Sequence, residues 1–210
     1  DIGSVRPGVP TLTVALRGMA NVTIEVTTLA SAKHSGQYGG AAPDEVEDPR
    51  IWAEILRQHS TLHPEFTYLP RKFKIALAAS AHDRAATKVH DIGLRLHRNG
   101  AGEVGFEVIV GGGLGRTPFV GKTIKPFLKK RDLLSYIEAI LRVYNQHGRR
   151  DNIYKARIKI LVHELGAEKF AQEVEAEWLT IKDGPLALDP AFIADITARF
   201  LRPDFKRLDD

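Results

Sequence analysis

Three cations lie close together in the segment YLPRKFKIALAAS, residues 68–80. Lys72 and Lys74 are two positions apart, so in a strand they lie on one face, about 6–7 Å apart at ~3.3 Å per residue, while Phe73 points to the other face. Two ammonium groups at this spacing can bracket a small oxyanion and can donate protons to oxygens that leave it. A solvated edge strand explains the same residues equally well.

A glycine-rich loop follows a predicted apolar strand in the run VIVGGGLGRTP. Four glycines fall within five residues, Gly111, Gly112, Gly113 and Gly115, and Arg116 follows them. Glycines let a backbone approach a ligand closely and leave amide donors free for it. Arg116 occupies the place of the last glycine in a dinucleotide-binding G-x-G-x-x-G, and no P-loop Gly-Lys-Ser/Thr follows. The loop therefore indicates either a ligand contact of unspecified chemistry or a plain glycine-rich strand exit.

A third group of cations lies in GRRDNIYKARIK, residues 148–159. Arg150, Lys155, Arg157 and Lys159 crowd the start of a predicted helix, where free amides and the positive end of the helix dipole already favour anions. Cations at that end are unfavourable unless an acidic group lies against them. The segment therefore predicts an anionic ligand.

The formal net charge of the 210 residues is only +4, but the positive charge is concentrated. Between Lys122 and Lys159 there are eleven Lys or Arg and three acids. This block indicates nucleic acid, phosphate or a polycarboxylate cofactor as a partner, or else a set of solvated helix faces. The chain has no cysteine, which excludes disulfides and any thiolate-bound zinc or iron–sulfur cluster built from this chain alone.

Several other functions have no support in the sequence. His82, His90, His97 and His163 match no paired metal-ligand spacing, so no metal ligand is assigned, and no Gly-x-Ser-x-Gly motif of a serine hydrolase is present. No apolar run approaches the length of a membrane helix, and the amino terminus lacks the pattern of a secretory signal. We therefore expect a cytoplasmic protein that does not enter a membrane.

The order of predicted elements favours an α+β fold with a mixed or antiparallel sheet and helices packed on it, because most helices follow the strands. Asp48-Pro49 and Asp189-Pro190 are typical helix starts, and Asp132 is expected to cap a further helix. A helix from about Asn152 is predicted to carry Ile153 inward, and a further helix aligns Phe170, Val174 and Trp178. Strands are predicted at residues 72–79, 91–98 and 104–110.

Several segments together closely resemble the siroheme-dependent sulfite and nitrite reductases, in particular the bacterial assimilatory sulfite reductase hemoprotein type. They are YLPRKFKIALAAS with HDRAATKVHDIGL, then GFEVIVGGGLGRTP, DLLSYIEAILRVYNQHGRRDNIYKARIKILVHELG and FAQEVE. The resemblance runs from about residue 42 to residue 203, and PRKFK followed by GGGLGRTP is its most specific part. It implies a siroheme-domain-like fold.

The resemblance also implies roles for the motifs. Lys72 and Lys74 would bind the substrate oxyanion above the heme iron, Arg71 would pair with a siroheme carboxylate, and the loop from Gly111 to Gly115 would line the macrocycle. Further implied siroheme partners are Arg116, Arg150, Lys155, Arg157 and Lys159. The implied chemistry is reduction of sulfite to sulfide or of nitrite to ammonia. Its electrons come from ferredoxin or a flavoprotein reductase and pass through a 4Fe-4S cluster to siroheme.

The sequence departs from this family in two places. The four cysteines of the family's cluster belong to a later segment, so the resemblance implies an internal piece of a longer enzyme, inactive alone, whose partner is the rest of that enzyme. Ala20 also precedes NVT where the family has an arginine. We predict an atypical segment over residues 1–41, a partial siroheme- and substrate-binding domain over 42–181, and a linker with a C-terminal helix over 182–210. The alternative is a non-catalytic basic domain that binds anions or nucleic acid.

Overall fold

The computed structural model describes residues 44–201. The chain divides into two compact units, residues 1–42 and 43–210, and every described residue belongs to the second. The predicted N-terminal segment, including Ala20, lies outside the described residues. Within the described part, no helix combines the length and apolar character that a membrane span requires.

The described chain contains six α-helices and one four-stranded sheet. The helices are α1 (Pro49–Ser60), α2 (Pro64–Thr67), α3 (Leu133–His147), α4 (Ile158–Leu165), α5 (Ala167–Ile181) and α6 (Pro190–Phe200). The strands are β1 (Ile75–Ala78), β2 (Ile92–Arg98), β3 (Val104–Val110) and β4 (Lys122–Lys129). Short 3₁₀ turns lie at Thr87–Val89, Lys130–Asp132 and Ile153–Lys155.

Two helices begin where the sequence predicts. The side chain of Asp48 accepts a hydrogen bond from the backbone amide of Arg50 (2.9 Å), and the side chain of Asp189 accepts one from Ala191 (2.8 Å). A proline follows each aspartate at the first helical position. Helix α3 also begins after Asp132, but that side chain makes no capping bond, because a 3₁₀ turn over residues 130–132 already leads into the helix.

The sheet has the strand order β1-β2-β3-β4, in which β1 is parallel to β2 and the other two pairings are antiparallel. The α+β prediction with a mixed sheet is therefore confirmed. The prediction of three strands was wrong, because β4 forms the second edge of the sheet. Three lysines at irregular spacing and Pro126 obscure the strand pattern in the sequence, and an edge strand tolerates both. The first strand is also shorter than predicted, since Lys72 and Lys74 precede it.

One hydrophobic core joins the sheet to the helices. Helix α3 is buried along most of its length and contacts α2, α4 and α5. Trp52 of α1 is fully buried, and its ring meets the edge of Phe106 of β3 with a centroid distance of 5.2 Å. Phe170 and Val174 of α5 are buried in the same core, as the spacing predicts.

The helix predicted from Asn152 begins six residues later, at Ile158. The side chain of Asn152 accepts a hydrogen bond from the backbone amide of Tyr154, and this local bond stabilises a 3₁₀ turn in place of an α-helical start. Ile153, which was predicted to point inward, is exposed.

The hairpin between β2 and β3 is closed by residues 99–103. The side-chain oxygen of Asn99 accepts hydrogen bonds from the backbone amides of Ala101 and Glu103, both at 3.0 Å. The register pairs Arg98 with Val104, so this turn lies at the end of the sheet opposite the glycine loop that follows β3.

Candidate functional site

One end of the sheet brings the three motifs of the sequence together. Strands β1 and β2 are parallel and both start at this end, and the antiparallel strand β3 finishes there. The backbone amide of Ile92 donates to the carbonyl of Lys74 (3.1 Å), and the amide of Gly111 donates to the carbonyl of Asp91 (3.0 Å). The lysine segment and the glycine loop therefore flank the start of β2.

Asp91 is the residue that connects these segments to the third motif. It is fully buried, and the Nη2 atom of Arg157 lies 2.7 Å from each of its carboxylate oxygens. Its Oδ2 atom also accepts a hydrogen bond from the backbone amide of Lys74 (3.0 Å). One carboxylate therefore fixes both the lysine segment and the residue before α4. The sequence analysis missed this role.

A pocket of about 770 Å³ lies beside this junction and collects most of the predicted cations. We call it the basic pocket. Its lining residues are Arg71, Leu114, Gly115, Arg116, Thr117, Tyr154, Lys155, Arg157, Lys159 and Ile160. Five of these ten residues are cationic and none is acidic, so the lining favours an anionic ligand.

The cations of the basic pocket differ in the hydrogen bonds and ion pairs that they make within the protein. Arg71 donates a hydrogen bond to the carbonyl of Ile153, and its guanidinium lies 5.7 Å from the ring centre of Tyr154. Arg116 and Lys155 are exposed, and neither side chain makes a hydrogen bond or ion pair with any residue in the range 44–201. These two charges are therefore available to a ligand.

Lys159 is buried beneath the glycine loop. Its ammonium donates to the carbonyls of Thr117 (2.5 Å) and Leu114 (3.3 Å), so it holds the outer part of that loop. Burial, and to a lesser extent the charge of Arg157, lowers the pKa of Lys159. Lys159 therefore shapes the wall of the basic pocket more than it presents a free charge.

Lys72 and Lys74 lie in the irregular segment before β1, and both are exposed. Phe73 between them is half-buried, with its ring stacked on that of Tyr144 at a centroid distance of 5.8 Å. The predicted alternation of the two lysines against the phenylalanine is therefore present. Neither ammonium bonds to another described residue, and neither lysine lines the basic pocket. The segment is connected to that pocket by Asp91, which bonds to the amide of Lys74 and to Arg157.

The first three glycines of the loop are required for packing. A Cβ atom on Gly111, Gly112 or Gly113 would lie 2.9 Å from Val162, 2.3 Å from the carbonyl oxygen of Lys88 or 2.8 Å from the side chain of Lys159, respectively. Gly115 differs, because it lines the basic pocket, has open space around it and has a φ of +107°. Of the four predicted ligand-contacting glycines, the structure places only Gly115 in the pocket wall.

Arg150 is not brought into the basic pocket. Its guanidinium donates to the carbonyl of Tyr68 (2.8 Å) and to the side-chain oxygen of Asn145 (3.0 Å). These bonds tie the turn after α3 to the segment before β1, which is a structural use of its charge.

Comparison with known proteins identifies the family. The model of the family described as "Nitrite and sulphite reductase 4Fe-4S domain" matches residues 30–182, which include all the residues of the basic pocket. The chain belongs to this family. The resemblance carried by PRKFK and GGGLGRTP is thus confirmed for this reductase domain.

Two curated relatives are sulfite reductases, one named for NADPH and the other for ferredoxin. The chain is 33% identical over 172 residues to the sulfite reductase [NADPH] hemoprotein beta-component of Acidithiobacillus ferrooxidans, covering 74% of this chain and 30% of that protein. It is 30% identical over 154 residues to sulfite reductase [ferredoxin] 1 of Mycolicibacterium paratuberculosis, covering 72% of this chain and 27% of that protein. The chain thus spans less than a third of the length of either relative.

A solved structure shares the fold of the reductase domain. The Mycobacterium tuberculosis NirA protein superposes with a TM-score of 0.60 at 30% sequence identity. The match covers 70% of this chain and 27% of NirA. The α+β architecture is therefore that of a nitrite and sulfite reductase.

Proposed function

We propose that this domain binds the carboxylates of siroheme and the substrate oxyanion in a sulfite or nitrite reductase, over the predicted limits of residues 42–181. The observation that carries the proposal is the basic pocket, in which five cations and no carboxylate line about 770 Å³. Such a lining matches a ligand with several carboxylates, because each buried or partly buried anion needs a cationic or hydrogen-bonding partner.

The residues of the basic pocket contribute to different degrees. Arg116 and Lys155 are exposed and offer full charges, and Arg71 keeps a guanidinium whose Nη1 atom alone is engaged, by Ile153. Arg157 is already paired with Asp91, so it has less charge to offer a ligand. We therefore assign most of the siroheme carboxylate binding to Arg71, Arg116 and Lys155, with Gly115 as the point of close backbone approach.

The substrate is assigned to Lys72 and Lys74. Their side chains are exposed on either side of the half-buried Phe73 in the sequence, and the bond between Asp91 and the amide of Lys74 holds this segment near the basic pocket. Two such donors bind sulfite or nitrite and supply protons to oxygens that leave as water. Siroheme, when bound, supplies the redox chemistry of the reduction.

The reduction also needs groups that this chain does not supply. A 4Fe-4S cluster is bound by cysteine thiolates, and this sequence has no cysteine, so the cluster belongs to another part of the enzyme. We propose that ferredoxin or a flavoprotein reductase delivers electrons through that cluster in the cytoplasm. The 210 residues alone are then expected to bind the cofactor and the anion without reducing the substrate.

The proposal is tested by adding siroheme to the purified 210-residue chain and following the heme absorbance. Replacing Arg116 and Lys155 together by alanine is expected to weaken siroheme binding at least about tenfold, since a hydrogen bond to a charged group contributes ~1.5–3 kcal/mol. The matched control is Lys129→Ala with Lys169→Ala, which removes the same charge at exposed positions outside the basic pocket.

Equal binding by the two double variants would contradict the assignment. The alternative of a basic nucleic-acid-binding domain predicts a DNA or RNA complex whose affinity falls steeply with salt. Detection of such a complex, together with no siroheme binding, would replace the reductase proposal.

The lysine assignment has its own test. Lys72→Met with Lys74→Met keeps an unbranched side chain only one atom shorter at both positions and removes both charges. We expect the siroheme-loaded variant to lose the absorbance change that sulfite or nitrite causes, while its affinity for siroheme stays that of the unaltered chain. A variant that still responds to the anion would show that other residues bind the substrate.

A further inference from the structure

A second polar cluster lies away from the basic pocket, where three helices meet. His59 is in the last turn of α1, His63 precedes α2, and Glu138 is on α3. One nitrogen from each histidine and one oxygen of the glutamate all lie within 4.8 Å of one another. We call these three residues the His–His–Glu cluster.

Two buried atoms of the His–His–Glu cluster have no hydrogen-bond partner. Glu138 is 3% exposed, and only its Oε1 atom is hydrogen-bonded, accepting from Nε of Arg142 (3.0 Å). Its Oε2 atom faces Nε2 of His63 at 3.5 Å, which is too long for a good hydrogen bond. The Nε2 atom of His59 is also buried without a partner. A buried polar atom left without a partner costs about 1–3 kcal/mol, so two in one cluster indicate a missing group that satisfies both.

The two histidine rings of the cluster are already close together, with a centroid distance of 4.5 Å. The ring of Phe66 meets both histidine rings edge-on, at centroid distances of 6.1 Å and 6.0 Å, and so limits their movement.

We propose that His59, His63 and Glu138 bind a divalent transition-metal ion. Two imidazoles and one carboxylate are a ligand set that suits Zn²⁺, which leaves a fourth position for water. The Nδ1 atom of His63 accepts a long hydrogen bond from the amide of Glu65 (3.3 Å). Coordination through Nε2 moves the ring proton to Nδ1 and breaks that bond. Because the ligands come from α1, from the residue before α2 and from α3, the ion ties α1 and the start of α2 to α3.

The sequence did not reveal this cluster. No metal ligand was predicted from the sequence. The histidines considered were His82, His90, His97 and His163, and none of them belongs to the cluster. His59 and His63 are four residues apart, but His59 lies in the last turn of α1 and His63 lies just before α2. Their third partner is 75 residues beyond His63.

Zn²⁺ alone is the probe for the test. The purified 210-residue chain is treated with a chelator, dialysed and titrated with zinc chloride by isothermal titration calorimetry at neutral pH. We expect one ion per chain and a rise in the unfolding temperature with added zinc, because an ion that binds only the folded state stabilises it. His59→Phe keeps an aromatic ring against Phe66 and removes the ligand atom, so the variant is expected to fold and to bind Zn²⁺ at least about tenfold more weakly.

Two matched controls separate a metal site from a structural role. His97→Phe removes a histidine outside the His–His–Glu cluster and is expected to leave zinc affinity unchanged. Glu138→Gln and Glu177→Gln each remove a carboxylate that accepts from Arg142, but only the first removes a proposed ligand. The proposal is overturned if the unaltered chain binds no Zn²⁺, or if His59→Phe binds it as tightly as His97→Phe does.

Discussion

Replacing Asp91 by alanine is expected to lower the free energy of unfolding by about 3–5 kcal/mol, the usual cost of removing one partner of a buried ion pair. Asp91 is fully buried, and its carboxylate is bonded to the guanidinium of Arg157 and to the backbone amide of Lys74. The substitution leaves that guanidinium, whose side chain is 20% exposed, without its counter-charge.

Urea unfolding followed by circular dichroism measures this loss. Asp91→Asn keeps the shape and an acceptor for the amide of Lys74 but removes the charge, so its stability is expected to lie between those of the alanine variant and the unaltered chain. The control is Asp151→Ala, which breaks the exposed pair with Arg149 and is expected to change stability little. If both alanine variants lose the same stability, the Asp91 bonds do not hold this end of the sheet.

The second large effect is expected for Gly112→Ala, at about 1–3 kcal/mol of lost stability, which is typical of overpacking in a core. The new Cβ atom would lie 2.3 Å from the carbonyl oxygen of Lys88 and 2.7 Å from that of His90. Both are backbone atoms, so no side-chain rotation relieves the clash, and the turn at residues 88–90 must shift. The amide of Gly121 also bonds to the same Lys88 carbonyl (2.7 Å), so the far end of the loop moves with it.

The midpoint of urea unfolding checks this prediction. Gly100→Ala is the matched control, because a Cβ atom at Gly100 meets no heavy atom within 4 Å. We expect the control to unfold at the midpoint of the unaltered chain. A Gly112→Ala variant of unchanged stability would show that this glycine is not needed for packing against residues 88–90.

Features that depend on neighbouring residues were predictable from the sequence. The starts of α1 and α6 follow from an aspartate and a proline side by side, because the cap and the fixed φ are local. Strands β2 and β3 follow from their apolar residues. The start of α4 was not predictable in this way, since the bond of Asn152 to the Tyr154 amide favours a 3₁₀ turn that competes with the helix.

The basic block, residues 122–159, shows that a count of charges along the sequence overestimates the charge available to a ligand. Much of its excess charge is paired with acids from elsewhere in the sequence. Lys125 pairs with Glu175 at 2.7 Å, and Lys130 pairs with Glu47 at 2.9 Å. Lys155 remains exposed at the basic pocket, while Lys122 and Lys129 are exposed outside it. Arg150, although it belongs to the same block, is used to hold the segment before β1.

The sequence indicated the cations of the candidate site, but it did not indicate the residue that holds them in place. Arg116, Lys155, Arg157 and Lys159, the siroheme partners that the family resemblance implies, line one pocket, and their binding of siroheme stays a prediction. Asp91 was missed because its partner Arg157 is 66 residues away, and a single aspartate before an apolar strand has no pattern of its own. Long-range pairs of this kind become visible only when the strand order is known.

The turn at residues 99–103 offers a practical route to studying this protein. It is closed by the side chain of Asn99, and Gly100 projects into open space. Since the cofactor chemistry is assigned to the other end of the strands, a fluorophore or an affinity peptide inserted here should report on folding without disturbing ligand affinity. Strands β2 and β3, each seven residues long, would keep the inserted reporter at a fixed distance from the basic pocket.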